Sequence, residues 1–344
     1  MGQYSPDMSS AAETPIAFVR SIVLAYERYG VEPRRALRQA HISPSLLRSE
    51  DARVSADQFE ALSAAAMQEL DDEGLGWFSQ RLPWGTNGML CRASLPSENL
   101  RVALLRWCRH YGLLVNDIKL ELSVEARLAH LVIRENGDLL RQREFCLVST
   151  LRNIHGFACW LVDSRIPLSR ATFPFKKPRH ARAYDLMFRG PIDFEAPQAS
   201  LVFDAEYLQL PVRRDDRDLR QMLLRPLPLI VLQYKRDRLL SQRIRKLFRT
   251  HGFEVSTSAA VSAMLNVSTR TLYRHLAEEG VSLQGLKDEV RRDLAIRQLT
   301  RTSRPLKQIA IAAGFGSEAS FIRAFRQWTG KSPGELRRTP SLDK

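Results

Sequence analysis

The 344-residue sequence predicts an α+β N-terminal domain followed by an all-α C-terminal domain with two helix-turn-helix units. Three observations carry this prediction: a motif that occurs twice in the last third of the chain, alternating apolar residues in the middle, and an uneven distribution of charge. The boundaries we expect are 16–210 for the first domain, 211–230 for a linker and 231–338 for the second domain.

The repeated motif has a Ser, an apolar residue, an Arg and a second apolar residue at relative positions 0, +4, +6 and +8. The first copy is Ser268, Leu272, Arg274 and Leu276, and the second, 49 residues later, is Ser317, Phe321, Arg323 and Phe325. Ser is a good N-cap, and the +4 and +8 residues lie on one helix face. Each copy therefore predicts a capped helix with an apolar inner face and an Arg that points to solvent.

A short apolar helix and a tight turn are predicted before each capped helix. Under the same shift Ala260 aligns with Ile309, Val261 with Ala310 and Met264 with Ala313. Two helices joined by a tight turn are typical of a helix-turn-helix. In the second copy, Gly314 is expected to end the short apolar helix with a positive φ. A connecting helix at Ser282–Thr300, about 28 Å long, would hold the two units about one DNA turn, roughly 34 Å, apart.

Positive charge is concentrated in the same region. From Val231 onward 22 Lys and Arg stand against 10 Asp and Glu, whereas the preceding residues carry 30 against 28. A concentrated surplus is what the neutralisation of phosphates requires, so the C-terminal domain is expected to bind nucleic acid.

The first domain mixes helical and strand patterns. Ile118, Leu120, Leu122 and Val124 alternate with polar residues, which predicts a hairpin that turns near Glu125–Ala126. The other predicted elements are helices throughout 16–69 with a capping box at Ser55 and Gln58, a loop at Gly74–Gly88, helices at Leu100–Tyr111, Glu144–Val162 and His180–Phe188, strands at Ala171–Phe175 and Ser200–Phe203, and helices at Asp216–Leu224 and Val231–Arg249.

The sequence lacks the patterns that are typical of several other classes of protein. The cysteines Cys91, Cys108, Cys146 and Cys159 show no CxxC spacing, which favours a reducing compartment and no metal site. The sequence contains neither a signal peptide nor an apolar run of membrane-spanning length. No catalytic set is recognisable in 70–210, so we expect a cytoplasmic protein that is not an enzyme and has no cofactor.

The run from Ala310 to Pro333 closely resembles the signature of AraC/XylS-type transcriptional regulators, and so does the stretch from Ser268 to Leu276. More loosely, Tyr29-Gly30-Val31, Pro44 with Leu47, and Asp51 to Ser55 resemble the ligand-sensing domain of the long members of this family. The resemblance implies a homodimer that binds promoter DNA, RNA polymerase and a small-molecule effector. The alternative is a regulator without an effector, whose first domain only dimerises or binds a protein.

Candidate DNA contacts lie on the two capped helices. They are Thr269, Arg270, Tyr273 and Arg274 on the first and Glu318, Ser320 and Arg323 on the second. Arg pairs bidentately with guanine, Tyr contacts a thymine methyl or a phosphate, and Glu accepts from cytosine. Two plainer interpretations stay open: Arg274 pairs with Glu278 on a solvated face, and Glu318 only favours the helix N-terminus.

Candidate effector contacts are fewer. Trp77, Trp84, Trp107 and Trp160 would line an apolar cavity, and Arg152 would meet a carboxylate. The alternative is that the four Trp are ordinary core residues and that Arg152 belongs to a solvated face.

Overall fold

The computed structural model describes residues 13–224, 237–253 and 257–338. Contacts divide the chain into two compact units, Met1–Lys235 and Arg236–Lys344. The first unit is α+β and the second is helical in its described part, which confirms the predicted fold class. Part of the predicted linker and the start of the predicted helix at Val231–Arg249 lie outside the described residues. None of the described helices has the length and apolar character that crossing a membrane requires.

The first unit opens with helices α1 (Ile16–Tyr29), α2 (Arg34–Gln39) and α3 (Ala56–Glu69). The prediction that 16–69 is helical throughout is wrong at strand β2 (Arg53–Ser55), which pairs antiparallel with strand β1 (Glu13–Pro15). Each strand is only three residues long and its partner is far away in the sequence, so neither shows a local alternating pattern. The capping box of Ser55 and Gln58 is confirmed.

Helix α4 (Thr86–Ser94) lies partly where a loop is predicted. Its first turn is stabilised by a residue outside the helix: the Glu73 carboxylate accepts hydrogen bonds from the backbone N–H groups of Gly85 and Asn87. Burial raises the pKa of Glu73. Glu73 lies 12 residues before Gly85 and 14 before Asn87, so the local sequence at the start of α4 does not indicate this cap.

A five-stranded sheet forms the centre of the first unit. Its strands, in spatial order, are β3 (Ile118–Glu125), β4 (Leu128–Glu135), β7 (Ala199–Asp204), β5 (Leu168–Thr172) and β6 (Ile192–Asp193). All neighbours pair antiparallel except β5 and β6. The predicted hairpin is confirmed, with Ala126 at φ 54° in the turn.

The described part of this unit has four more α-helices: α5 (Leu100–Leu114), α6 (Arg143–Leu161), α7 (Arg182–Phe188) and α8 (Asp216–Leu224). Helix α5 packs against β3, and α6 is buried along most of its length. Helix α8, which falls in the predicted linker, packs against α4.

The helices of the second unit are α9 (Leu239–His251), α10 (Ser258–Met264), α11 (Thr269–Glu279), α12 (Leu283–Arg301), α13 (Leu306–Ala312), α14 (Glu318–Thr329) and α15 (Pro333–Arg338). Their apolar residues form two separate clusters, one built from α9 to α12 and one from α12 to α14. Helix α12 supplies Leu283, Leu286 and Val290 to the first cluster and Ala295 and Leu299 to the second. The connecting helix is therefore part of both helix-turn-helix units.

A half-buried ion pair links α9 to α12. The Arg245 guanidinium on α9 donates to both carboxylate oxygens of Glu289 on α12, over 3.0 and 2.9 Å. Only 7% of the Arg245 side chain is exposed. Because charge-assisted bidentate pairs are geometrically demanding, this contact fixes how α9 crosses α12.

Candidate nucleic-acid interface

Both capped helices form as the motif predicts. The Ser268 hydroxyl accepts from the backbone N–H of Thr271 over 3.1 Å, and the Ser317 hydroxyl accepts from that of Ser320 over 3.2 Å. The +4 and +8 residues of both copies, Leu272, Leu276, Phe321 and Phe325, are at most 1% exposed. Each cap fixes the start of its helix, and each apolar pair fixes which face is left to solvent.

The solvent faces carry most of the predicted contact residues. Exposed side chains are Thr269, Arg270, Tyr273 and Arg274 on α11 and Glu318 and Arg323 on α14. Arg274 and Arg323 occupy equivalent positions and both point outward as predicted. Among the predicted contacts, two Arg and a Tyr lie on the first helix and one Arg and one Glu on the second, where Arg326 is a further exposed Arg.

Ser320 differs from the other predicted contacts. It is half-buried, and its hydroxyl donates to the backbone carbonyl of Ser317 over 2.8 Å. Thr271, its equivalent in the first copy, is likewise half-buried and contacts the Ser268 hydroxyl at 2.8 Å. In this structure the Ser320 hydroxyl is therefore hydrogen-bonded to the N-cap residue of α14, Ser317.

The predicted pairing of Arg274 with Glu278 is present but loose. The guanidinium and the carboxylate are 3.8 Å apart, and the two side chains are 65% and 57% exposed. An exposed pair of this kind contributes about 0.3–0.5 kcal/mol, which is less than a good bidentate contact with a base. The pair is therefore no obstacle to a contact between Arg274 and DNA.

The alignment of the two copies before the turn needs a correction. Val261 and Ile309 are both 0% exposed, so these two residues occupy equivalent positions and the two copies are 48 residues apart there. Met264, which the sequence aligns with Ala313, is 43% exposed, whereas Ala313 is buried. The backbone agrees, since the N–H of Val267 bonds to Ser262 O as that of Phe315 bonds to Ala310 O. The second turn contains one more residue, Gly316, which restores a shift of 49 at the caps.

Gly314 has the positive φ that its position in the second turn predicts, 72°. A second constraint acts at the same place, since an added Cβ would lie 2.7 Å from the Cβ of Phe253. The backbone conformation and the close approach of Phe253 both exclude a larger residue at this turn.

The exposed charge of the second unit is predominantly positive. The exposed basic side chains of its described part are Lys246, Arg249, Arg270, Arg274, Arg297, Arg301, Arg304, Lys307, Arg323, Arg326, Lys331 and Arg337. The exposed acidic ones there are Glu278, Glu318 and Glu335. Most of the cations lie off the two capped helices, and only the overall charge surplus indicated them.

In the first unit the structure does not bring the predicted effector contacts together. Trp77 packs edge-on against Phe145, whereas Trp107 and Trp160 both pack against Phe157, and Trp84 is 48% exposed. The indole N–H groups of Trp77 and Trp107 are buried without an acceptor among the described residues. Buried polar groups normally have a partner, so an acceptor added beside either indole would gain a hydrogen bond.

Arg152 is not on a solvated face, as the alternative interpretation has it. Its side chain is buried, its guanidinium donates to the backbone carbonyl of Met187, and it lies 5.6 Å from the ring centroid of Phe188. Burial lowers the pKa of Arg152 to about 10, so the group stays charged at neutral pH. His155 lies one turn further along α6. Burial and the Arg152 charge lower the pKa of His155 to about 4, so its imidazole is neutral at neutral pH.

Metal binding has no support in the residues that the structure describes, where no cluster of three or more His, Cys, Asp or Glu has a suitable arrangement.

Known proteins resemble this chain over both units. Residues 30–212 match the family model described as the arabinose-binding domain of AraC transcription regulator, N-terminal, and residues 261–339 match a helix-turn-helix domain model. The ornithine utilization regulator of Pseudomonas aeruginosa is 30% identical over 332 residues, 96% of this chain and 98% of that relative.

Two further proteins have lower identity. The HTH-type transcriptional regulator VirS of Mycobacterium tuberculosis is 26% identical over 325 residues, 90% of this chain and 91% of its own length. The crystal structure of the regulator CdpR from Pseudomonas aeruginosa covers 98% of this chain and 100% of its own, at 20% identity and a TM-score of 0.35. At that score the structural likeness supports no conclusion about this chain.

Proposed function

This chain belongs to the AraC family of DNA-binding transcriptional regulators, and from that premise we propose that it reads promoter sequence with α11 and α14 under the control of a small-molecule effector. The observation that carries the proposal is the pair of capped helices with Arg274 and Arg323 exposed at equivalent positions. Helix α12 belongs to both apolar clusters, which supports the reading of two successive major grooves on one face of the DNA.

The proposed contacts follow from what each exposed group can donate or accept. Arg270, Arg274 and Arg323 pair with guanine or phosphate, and Thr269 and Tyr273 contact a phosphate or a thymine methyl. Glu318 accepts from cytosine, and Ser320 contacts DNA only if its hydroxyl turns away from the Ser317 carbonyl. We expect α11 to be the more selective of the two helices, because more of the proposed donors lie on it, namely Thr269, Arg270, Tyr273 and Arg274.

Arg274→Ala and Arg323→Ala are each expected to cost about 1–3 kcal/mol on the preferred DNA sequence and to relax base preference at one position. The measurement is a titration of the full chain against that sequence and against a scrambled duplex of equal length. Arg292→Ala, on the connecting helix, is the matched control and should change affinity for both duplexes by a similar small amount. If the Arg274 and Arg323 variants lose affinity equally on both duplexes, the two side chains contact only phosphate.

The first unit is proposed to hold the effector. Its match to an arabinose-binding domain model supports this, as do the buried indole N–H groups of Trp77 and Trp107 and the buried charge of Arg152. Arabinose and ornithine, which the names of the model and of the relative contain, are the first compounds to test. The alternative stays a regulator whose first unit only dimerises or binds a protein.

The rest of the proposal rests on the family. The protein would act as a homodimer in the cytoplasm, contact RNA polymerase at the promoter and catalyse no reaction. Its domains would be a sensing and dimerisation domain at 16–210, a linker at 211–230 and a DNA-binding domain at 231–338.

A further inference from the structure

Arg291 is a charged residue of the second unit that the proposed DNA contacts do not use. It stands on the connecting helix α12 between Val290, in the first apolar cluster, and Ala295, in the second. Its side chain is only 13% exposed. Burial lowers its pKa, but a guanidinium remains charged at neutral pH. A cation withdrawn from solvent at the junction of two clusters calls for an explanation other than phosphate binding.

The Arg291 guanidinium contacts one aromatic ring from each cluster. Its carbon lies 5.0 Å from the ring centroid of Phe253 and 4.7 Å from that of Phe315. Phe253 packs against the first cluster and Phe248, and Phe315 packs against Phe321 of the second. Both distances are within the range of a cation–π interaction, which strengthens when the cation is shielded from water.

A hydrogen bond and a close backbone contact complete the arrangement. One Arg291 amino group donates to the carbonyl of Gly314 over 2.9 Å, in the turn that leads to α14. The same Gly314 lies against Phe253, where no side chain would fit. The turn of the second helix-turn-helix is thus attached to the first apolar cluster at Phe253 and to the connecting helix at Arg291.

We propose that Arg291, with Phe253, Gly314 and Phe315, is a positioning residue that fixes the spacing and angle between the two reading helices α11 and α14. Arg291 adds a side-chain contact between the two clusters to the continuous backbone of α12 and the close approach of Phe253 to Gly314. Reading two grooves at once requires both helices at a set separation, so a flexible junction lowers the effective concentration of the second helix at its groove. The inference rests on the proposed two-helix reading of DNA.

The first test of this inference needs no DNA. Spin labels on Ala277→Cys and Gln327→Cys, exposed positions near the ends of α11 and α14, report the distance between the helices in the full chain. We expect a single narrow distribution of label distances in the chain that retains Arg291 and a broader distribution in the Arg291→Ala variant. Arg292→Ala is the matched control and should leave the distribution narrow. The unsubstituted chain corrects for labelling of the native cysteines, all of which lie in the first unit. An unchanged distribution in Arg291→Ala would overturn the proposal.

The second test separates positioning from a general loss of stability. The probes are a duplex with both preferred sequence blocks, one with a single block and one with two base pairs inserted between the blocks. Arg291→Ala is expected to bind the two-block duplex about tenfold more weakly, to bind the single block as before and to discriminate less against the insertion. Arg291→Lys, which keeps the charge but lacks the planar fork, should recover only part of the loss.

Equal losses on all three duplexes would make Arg291 a phosphate contact or a fold-stabilising residue, and the positioning role would be wrong. A chain that prefers no sequence would instead refute the proposed reading of DNA, and the distance measurement would still decide whether Arg291 orders the two helices.

Discussion

The affinity of the full chain for its preferred DNA is expected to fall about a thousandfold when monovalent salt rises from about 50 to about 200 mM. Each neutralised phosphate contributes about −0.9 to the slope of log affinity against log salt concentration, and six contacts per protomer suffice for this change. Exposed cations such as Arg297, Arg301 and Arg304 supply candidates for these contacts beyond the two reading helices.

The same titration assigns the effect to one part of the chain. A 231–344 fragment contains both apolar clusters and nearly all of the charge surplus, so it should fold and show the salt slope of one protomer. A 1–225 fragment is the control and should not bind DNA. A 231–344 fragment that is helical by circular dichroism yet fails to bind duplex DNA at low salt would contradict the assignment.

An effector is expected to change the affinity for operator DNA by about 5–150-fold, and operator DNA should change the affinity for the effector by the same factor. A ligand that binds only the folded state also raises the melting temperature, so a thermal-shift screen of metabolites on the full chain identifies candidates. DNA titrations with each stabilising compound then measure the coupling. A compound that stabilises the protein but is converted to a product would favour an enzyme, and a broad screen without any stabilising compound would favour the effector-independent regulator.

Trp107 allows a more specific version of this test. Trp107→Phe removes a buried N–H group and keeps an aromatic ring, so it should weaken the binding of an effector that accepts from this indole by about 1–2 kcal/mol. Trp84→Phe is the matched control, because Trp84 is half exposed. If both variants bind the effector as tightly as the original chain, Trp107 does not contact it.

Local sequence patterns predict the second unit well. The Ser caps and the apolar residues four and eight positions later determine how α11 and α14 begin and which faces they bury, and both features are visible within nine residues. The register before the turn is not visible in this way, because small residues such as Ala310 and Ala313 match apolar positions under either shift. Burial and the backbone hydrogen bonds of the turns show that Gly316 lengthens the second turn.

The first unit is less predictable because its determinants are distant in sequence. The alternating residues of β3 and β4 predict their hairpin, but β1 is defined by a partner about forty residues away. Helix α4 begins at Thr86, where the sequence favours a loop, because Glu73 caps it from the preceding segment. The junction at Arg291 likewise joins Phe253 to Gly314, so no local pattern indicates it.

The central claim is that one chain reads two stretches of sequence with α11 and α14. It is tested most directly by selecting duplexes from a random-sequence library with the full chain and sequencing those that remain bound. The account predicts two preferred blocks per protomer whose centres lie about one helical turn, roughly 10 base pairs, apart. Arg274→Ala should erase preference at one position in one block, and Arg323→Ala at one position in the other. A single block per protomer that is lost in Arg274→Ala and unchanged in Arg323→Ala would contradict it.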